Sequence, residues 1–444
     1  MSQGTRMVDD FFLKNFLKLT LKFYSGQNQL RRAKRLRKKL ISMALPPGIE
    51  LVLAAGAVPV FLVRMGDYSS QPFLRIAQTY KNLVGWNQLS SGIRFLRPLV
   101  GDKFFSNLID NFLTITYSTY QEFIDKAENA GSPLDACFGT RLLLGGTWAH
   151  LKKVHGTMGL GTRCNWFSKV FEEIKEKCNV IMLEIPLVDA DHGEEMMHES
   201  LNQTIGQLEA TTGNTITNEK LRKQIILANE IRESYLNILN IWSRDLIRVH
   251  PVTFTNLLSL LHIAFTDFLC EPKFFNKTLK QLAKDLDKIP KSRNHDTSAR
   301  PKVILVNAFG GYEPHLPRIV EELGGRLLIA DWEVLRVLDI IETQGDILKN
   351  YARYLIEFEG AWRDNATLVD RYINVSSKYN VDGILFNAIY GCKSITPSLK
   401  LFKERLNSSD LALVDIGFQN IKDNIEQVRT RVGAVFELIR DRKH

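Results

Sequence analysis

The stretch VDGILFNAIYGCKS, residues 381–394, decides the fold. Residues 383–389 form a short apolar run rich in β-forming side chains, the pattern of a strand buried on both faces of a parallel sheet. A loop then delivers Cys392, and Thr396-Pro397-Ser398 opens a helix. Ligands of open parallel sheets collect beyond the carboxyl ends of the strands, so Cys392 stands where a site would be. A structural cysteine is the other reading this stretch allows, because a buried free thiol packs as a small hydrophobe.

Working outward, the same grammar recurs. Residues 302–308 read as a strand, 309–314 as a glycine-containing loop, 316–323 as a helix closed by Gly324-Gly325, and 326–330 as the next strand. Helices are expected through about residue 379, then the opening strand, a helix over 398–406 and a strand over 411–415. The last helix carries Ile421, Ile425, Val428, Val432, Val435, Phe436 and Ile439 at three- and four-residue spacing, one apolar face. Strands alternating with helices imply parallel sheets with right-handed crossovers. The polar stretch PKSRNHDTSARP, residues 290–301, is the expected linker before this domain.

Upstream, PPGIELVLAAGAVPVFLV, residues 46–63, predicts a short helix over 49–55 capped by Gly56, then a strand from Val58. Residues 70–130 are helical in pattern, with 107–128 the clearest stretch, until Gly131-Ser132-Pro133 breaks it. Cys137 follows in DACFGTRLLLGGTWAHLKK. Asp135 is the expected N-cap, which puts Cys137 in the first turn and Arg141 one turn on, a setting that stabilises a thiolate. A glycine-rich loop in HGTMGLGTRCNWF then leads to Cys164, a helix to about residue 177 and a strand over 180–185. Cys178 and Cys270 read as structural. Residues 194–248 look helical with a turn at 211–214, and Thr217 starts a fresh helix; a mostly helical connector runs to about 290.

The organisation expected is therefore α/β: two Rossmann-like parallel-sheet domains with an N-terminal helical segment and a helical connector. The boundaries are a basic helical segment over 1–45, a first α/β domain over 46–245 with Cys137 and Cys164, connector and linker over 246–300, and a second α/β domain over 301–444 with Cys392.

Composition excludes several classes. At 444 residues, 45% apolar and 24% charged, the chain has the make-up of a globular protein with more than one core. Its longest apolar run, residues 51–63, contains Pro59 and is too short to span a bilayer, and MSQGTRMVDDFFLKN shows no secretory signal, so a cytoplasmic protein is expected. The net charge is +9, yet residues 1–45 alone hold eleven Lys or Arg against Asp9 and Asp10, a surplus of nine. The remainder is neutral, which argues against a nucleic-acid protein. Within the segment, RRAKRLRKK at 31–39 is near-continuous, and residues 11–24 interleave Phe and Leu with Lys14, Lys18 and Lys22. A solvated basic helix, or electrostatic docking to an acidic partner, a polyphosphate or a membrane surface, fits that pattern. Five cysteines without a C-x-x-C pair make neither a disulfide scaffold nor a zinc ribbon. No Walker sequence, G-x-S-x-G elbow or H-E-x-x-H occurs. In DADHGEEMMHE, His192 and His198 fall on different helix faces, so a solvated acidic helix start is expected there rather than a metal site.

Taken in order, PPGIELVLAAGAVPV, Cys137 with Arg141, Cys164 opening a helix, VIMLEIP, ATTGNTITNEKLRKQIILANEIR, VDGILFNAIYGCKS and QVRTRVGAVFELI resemble the 2-hydroxyacyl-CoA dehydratase and benzoyl-CoA reductase family over roughly residues 40–440. The resemblance implies a 4Fe-4S cluster held by Cys137, Cys164 and Cys392, with one iron left open to a substrate oxygen. It also implies an acyl-CoA substrate reduced to a ketyl radical, dehydration or ring reduction, a homologous second subunit, and an ATP-hydrolysing iron–sulfur activator that supplies the electron under anaerobic conditions. The missing Walker motif fits that division of labour. Glu50 falls in the family's P-x-E-like segment, where it would contact substrate or move a proton; a partly exposed, ordinary helix carboxylate is the alternative. Asn165 and Lys393 stand where many members carry Asp, which makes the surroundings of the cluster less negative and leaves the substrate open. A double-cubane reductase of small molecules would use more cysteines than five, and a non-catalytic electron-transfer or scaffold subunit is the remaining alternative.

Overall fold

The computed structural model describes residues 26–61, 118–161, 164–186, 190–291, 294–306, 316–329, 339–407, 409–417 and 424–443, with isolated residues between 14 and 19 and between 79 and 95. The expected loop at 309–314, most of the helical stretch at 70–130 and most of residues 11–24 lie outside them; residues 118–129 are helical as expected.

Helix α1 (Gly26–Leu36) leads into strand β1 (Leu40–Met43), helix α2 (Ile49–Ala54) and strand β2 (Val58–Phe61). Next come α3 (Phe138–His150), β3 (Gly156–Gly161), α4 (Asn165–Ile174) and β4 (Val180–Glu184). These four strands form one parallel sheet in the order β2-β1-β3-β4. Two long helices, α5 (Ala190–Thr212) and α6 (Asn218–Ser243), lead to strand β5 (Leu246–Ile247), helices α7 (Pro251–Cys270) and α8 (Pro272–Asp287) and strand β6 (His295–Asp296). The Thr217 hydroxyl caps α6 by accepting from the Lys220 N–H. The second sheet is built from β7 (Lys302–Val306), α9 (Leu316–Glu322), β8 (Arg326–Ile329), α10 (Ile347–Arg363), α11 (Asn365–Lys378), β9 (Gly383–Phe386), α12 (Ser398–Leu406), β10 (Ala412–Asp415) and α13 (Ile425–Lys443). Its order is β10-β9-β7-β8, again all parallel.

The expected fold class is therefore the observed one, and the two sheets share one topology. In each, the second strand lies on one side of the first, and the third and fourth lie on the other. The chain thus reverses its direction of travel between β1 and β3, and again between β7 and β9, which are the switch points where such sheets open a crevice.

Two strands of the first sheet escape the sequence pattern. Strand β1 lies inside the segment expected to be helical, because only six residues, LISMAL, separate the basic run from Pro46-Pro47. Strand β3 runs through what reads as a glycine-rich loop. Gly159 cannot be larger: a Cβ there would stand 2.6 Å from the Met182 sulfur and 2.8 Å from Phe171 Cγ. The expected linker is also not a free tether, since β6 pairs antiparallel with β5 and the Thr297 hydroxyl donates to the Asp245 carbonyl at 2.7 Å.

The second sheet is buried on both faces. Val303, Leu305 and Leu385 point to α13, where they meet the predicted stripe at Val428, Val432, Phe436 and Ile439. Their alternates Ile304, Val306, Ile384 and Phe386 join a continuous core that reaches through α6 to the first sheet. Helix α6 ties the halves together: Trp242 Nε1 donates to the Leu327 carbonyl, and Arg326 Nη1 donates to the carbonyls of Trp242 and Arg244, closing the helix's C-terminal end. Among the described residues no helix is long and apolar enough to cross a membrane.

Candidate functional site

Cys164 and Cys392 occupy corresponding places in the two sheets. Each follows the strand just past a switch point, Cys164 after β3 and Cys392 after β9. The turn after β9 is held by Thr396 Oγ1 donating to the Ile389 carbonyl, and the Ile395 N–H points to Cys392 Sγ at 3.5 Å. Cys164 is itself the N-cap of α4.

Cys137 is likewise the N-cap of α3, with extended backbone at φ −63° and ψ 157°. This corrects the expected cap at Asp135. The cation does not serve the thiol either: Arg141 turns back, its Nε donating to the Ala136 carbonyl at 3.1 Å and its Nη1 pairing with Glu128. The electrostatic outcome is opposite to that expected. Burial pushes the Cys137 thiol up, a Thr140 hydroxyl at 3.3 Å from Sγ works against the rise, and the nearby Cys392 thiol adds to it.

The two loops meet at Gly391, which has φ +75°. A Cβ there would overlap the Asp135 carbonyl oxygen and stand 3.0 Å from the Cys137 nitrogen, so only glycine lets the loop after β9 lie on the turn that begins α3. The second domain's cysteine is thereby set beside Cys137. Among the described residues no three His, Cys, Asp or Glu side chains converge on a point where one metal ion would sit. The predicted set is therefore brought together as the pair Cys137 and Cys392, with Cys164 at the carboxyl edge of β3. In kind, three thiols, two after switch-point strands of the two sheets and one at the N-cap of α3, fit an iron–sulfur group, whose ligands bind separate irons instead of converging on one ion.

Cys270 is fully buried, and Cys178 lies 3.7 Å from Thr157 Oγ1 with its thiol raised by burial. His192 and His198 are exposed, and His198 contacts Asn202 instead of a second imidazole.

Glu50 is 1% exposed, against the expectation of a partly exposed helix carboxylate. Both oxygens are engaged: Arg232 Nη2 donates to Oε1 at 2.9 Å and the Tyr351 hydroxyl donates to Oε2 at 2.9 Å. Tyr351 in turn accepts from the Gly48 N–H, and Arg232 lies over the Tyr354 ring and donates to Asn229 Oδ1. Asn229 is fixed by two hydrogen bonds to the backbone of Ile341. Although burial works against its charge, Tyr354 and Glu50 hold the Arg232 guanidinium firmly protonated. Sequence reading missed Arg232, Tyr351 and Tyr354. The available signal was Asn229 and Arg232, three apart in LANEIR on a helix that otherwise turns Ile225, Ala228 and Ile231 inward. It also missed Glu184, whose carboxylate lies over Gly161 at the end of β3 and is raised by burial.

Doubled switch-point sheets with a cysteine loop after a strand of each define a two-domain α/β protein that carries thiols at its strand ends. The chain matches the family model of the 2-hydroxyglutaryl-CoA dehydratase, D-component, over residues 48–439 and belongs to that family. It is thus a subunit of a 2-hydroxyacyl-CoA dehydratase-type enzyme and works with partner subunits. No curated protein matches it.

Proposed function

We propose that the chain is the cluster-bearing subunit of an activator-dependent, cytoplasmic 2-hydroxyacyl-CoA dehydratase, or of a related acyl-CoA reductase of the benzoyl-CoA type. The observation that carries this reading is the meeting of the Cys137 and Cys392 loops across two like sheets at Gly391. Cys137, Cys164 and Cys392 would hold a 4Fe-4S cluster. When bound, that group supplies a low-potential electron to a CoA thioester. The chain's own part would be to enclose it: burial holds the Cys137 thiol above its usual range, and as a ligand Cys137 would have to give up its proton. Glu50, with both oxygens occupied, serves this geometry by fixing α2 against α6 and α10 instead of presenting a free base.

The test is anaerobic purification with iron and acid-labile sulfide measured per chain. About four of each are expected; about eight would favour a double-cubane relative, and none would sink the reading. Cys178→Ala and Cys270→Ala should keep the iron, whereas Cys392→Ala should lose it.

A further inference from the structure

The end of α1 and the turn into β1 carry seven of the eleven cations of residues 1–45, the segment that holds the chain's charge surplus. Arg31, Lys34, Arg35, Arg37, Lys38 and Lys39 are all exposed, and none forms an ion pair with a described residue; Arg32 alone reaches a carboxylate, Glu271 at 3.6 Å. Like charges three and four apart on a helix repel, so the cluster weakens α1 unless an anion covers it. Arg37 makes the point sharper. Its N–H donates to the Lys34 carbonyl and the next N–H, of Lys38, to that of Ala33, closing the helix with Arg37 left-handed at φ 51°, a place where glycine is cheaper. A cation is kept there against backbone preference.

The patch faces away from the cysteines. Residues 37–39 lie at the amino end of β1, whereas Cys164 and Cys392 follow the carboxyl ends of parallel strands, so the patch lies at the opposite end of the strands from those thiols. The inner side of α1, with Leu30 and Ala33, packs on β1 and β2, leaving only the basic side open. Residues 31–39 are Arg, Lys, Leu and Ala alone, with no aromatic ring to stack on a base and no Asn or Gln to read one. A protein interface would need an apolar or aromatic anchor at its centre; here one leucine, Leu36, stands 44% exposed among the cations. Polybasic charge with a single apolar side chain suits the headgroup layer of an anionic bilayer.

We infer that this patch docks the subunit peripherally on a membrane surface rich in anionic phospholipid. The inference is independent of the proposed reaction. The full chain is sedimented with phosphatidylcholine vesicles that contain either none or roughly a third phosphatidylglycerol. Binding is expected only to the anionic vesicles at about 0.1 M salt, and is lost near 1 M. Lys34→Gln, Arg35→Gln and Lys38→Gln should each lower the partition coefficient about fivefold, cumulatively. Lys400→Gln, an equal loss of charge on α12, should not. Absence of binding to anionic vesicles, equal loss with Lys400→Gln, or tighter retention by duplex DNA at matched phosphate would each overturn the inference. Lys34, Arg35 and Lys38 form no ion pair with a described residue, and Lys400 meets only Glu404, at 3.7 Å on the exposed side of α12, so a folded protein is available for every arm.

Discussion

Gly391 rests on the backbone of Cys137, and that contact sets the thiol of one domain beside the thiol of the other. Gly391→Ala is expected to be one of the costlier glycine changes in the chain. The left-handed backbone alone costs roughly 1–2 kcal/mol, and overlap with the Asp135 carbonyl adds about 1–3 kcal/mol because backbone cannot step aside as a side chain can. Gly131, at φ +91° with no atom near its missing Cβ, is the control: Gly131→Ala should lose only the first part. Denaturant midpoints of the two variants measure the difference, and equal losses would show that the loops do not press together.

The buried pair of Glu50 and Arg232 makes a second prediction. Arg232→Met leaves a carboxylate enclosed without its cation, which costs about 3–5 kcal/mol, whereas replacing both partners with apolar side chains of similar volume costs far less. Tyr351→Phe removes the other donor to Glu50 and an acceptor for the Gly48 N–H, for about 1–3 kcal/mol. A double-mutant cycle on Glu50 and Arg232, read by chemical denaturation, should return a coupling energy of that order. Additive effects would mean that the pair is not formed.

How far the sequence discloses this architecture depends on what each element must bury. Strands β7 and β9 announce themselves, since apolar runs are required where both sheet faces are covered, and β4 shows an apolar run at the edge of its sheet with only alternate residues buried. Strand β3 does not, because the room its side chains would take belongs to Phe171 and Met182; its glycines imitate a loop. Strand β1 is hidden by brevity between a basic helix and a proline pair. The Cys137 and Cys392 loops lie in different domains, and nothing local in either reports that Gly391 admits the other's backbone. Family resemblance joined those cysteines where spacing could not. Glu50 was misjudged for a related reason: Arg232, Tyr351 and Tyr354 come from α6 and α10, and a carboxylate's burial is set by partners its own segment does not contain.

Strand β3 therefore offers a direct test of the packing argument. Gly159→Val supplies a good strand former yet should destabilise by about 1–3 kcal/mol, against β-propensity, because its methyls meet Phe171 and the Met182 sulfur. Phe171→Ala made in that background should recover part of the loss, although alone it costs about 3–5 kcal/mol. Thermal denaturation of the four proteins in the cycle checks the sign of the coupling, and a stabilised Gly159→Val would show that the space is not filled.

His150, the last residue of α3, gives the fold a dependence on pH. The ring is 7% exposed, meets the Phe123 ring edge-on, and has no hydrogen-bond partner for Nε2 among the described residues. Burial, with Lys153 and Lys126 nearby, holds its pKa down to about 4. Unfolding returns it to about 6.5, so below that value the unfolded chain takes up a proton that the folded chain refuses. The stability His150 contributes is full above pH 6.5 and is lost progressively as pH falls toward 4, by roughly 2.5 kcal/mol at pH 4.5. His150→Gln removes the titration, so the gap between its unfolding free energy and that of the parent should change by about that amount between pH 7 and pH 4.5, in the variant's favour at the acid end. Parallel pH profiles for the two proteins would mean that the imidazole reaches solvent, contrary to its place beneath Phe123.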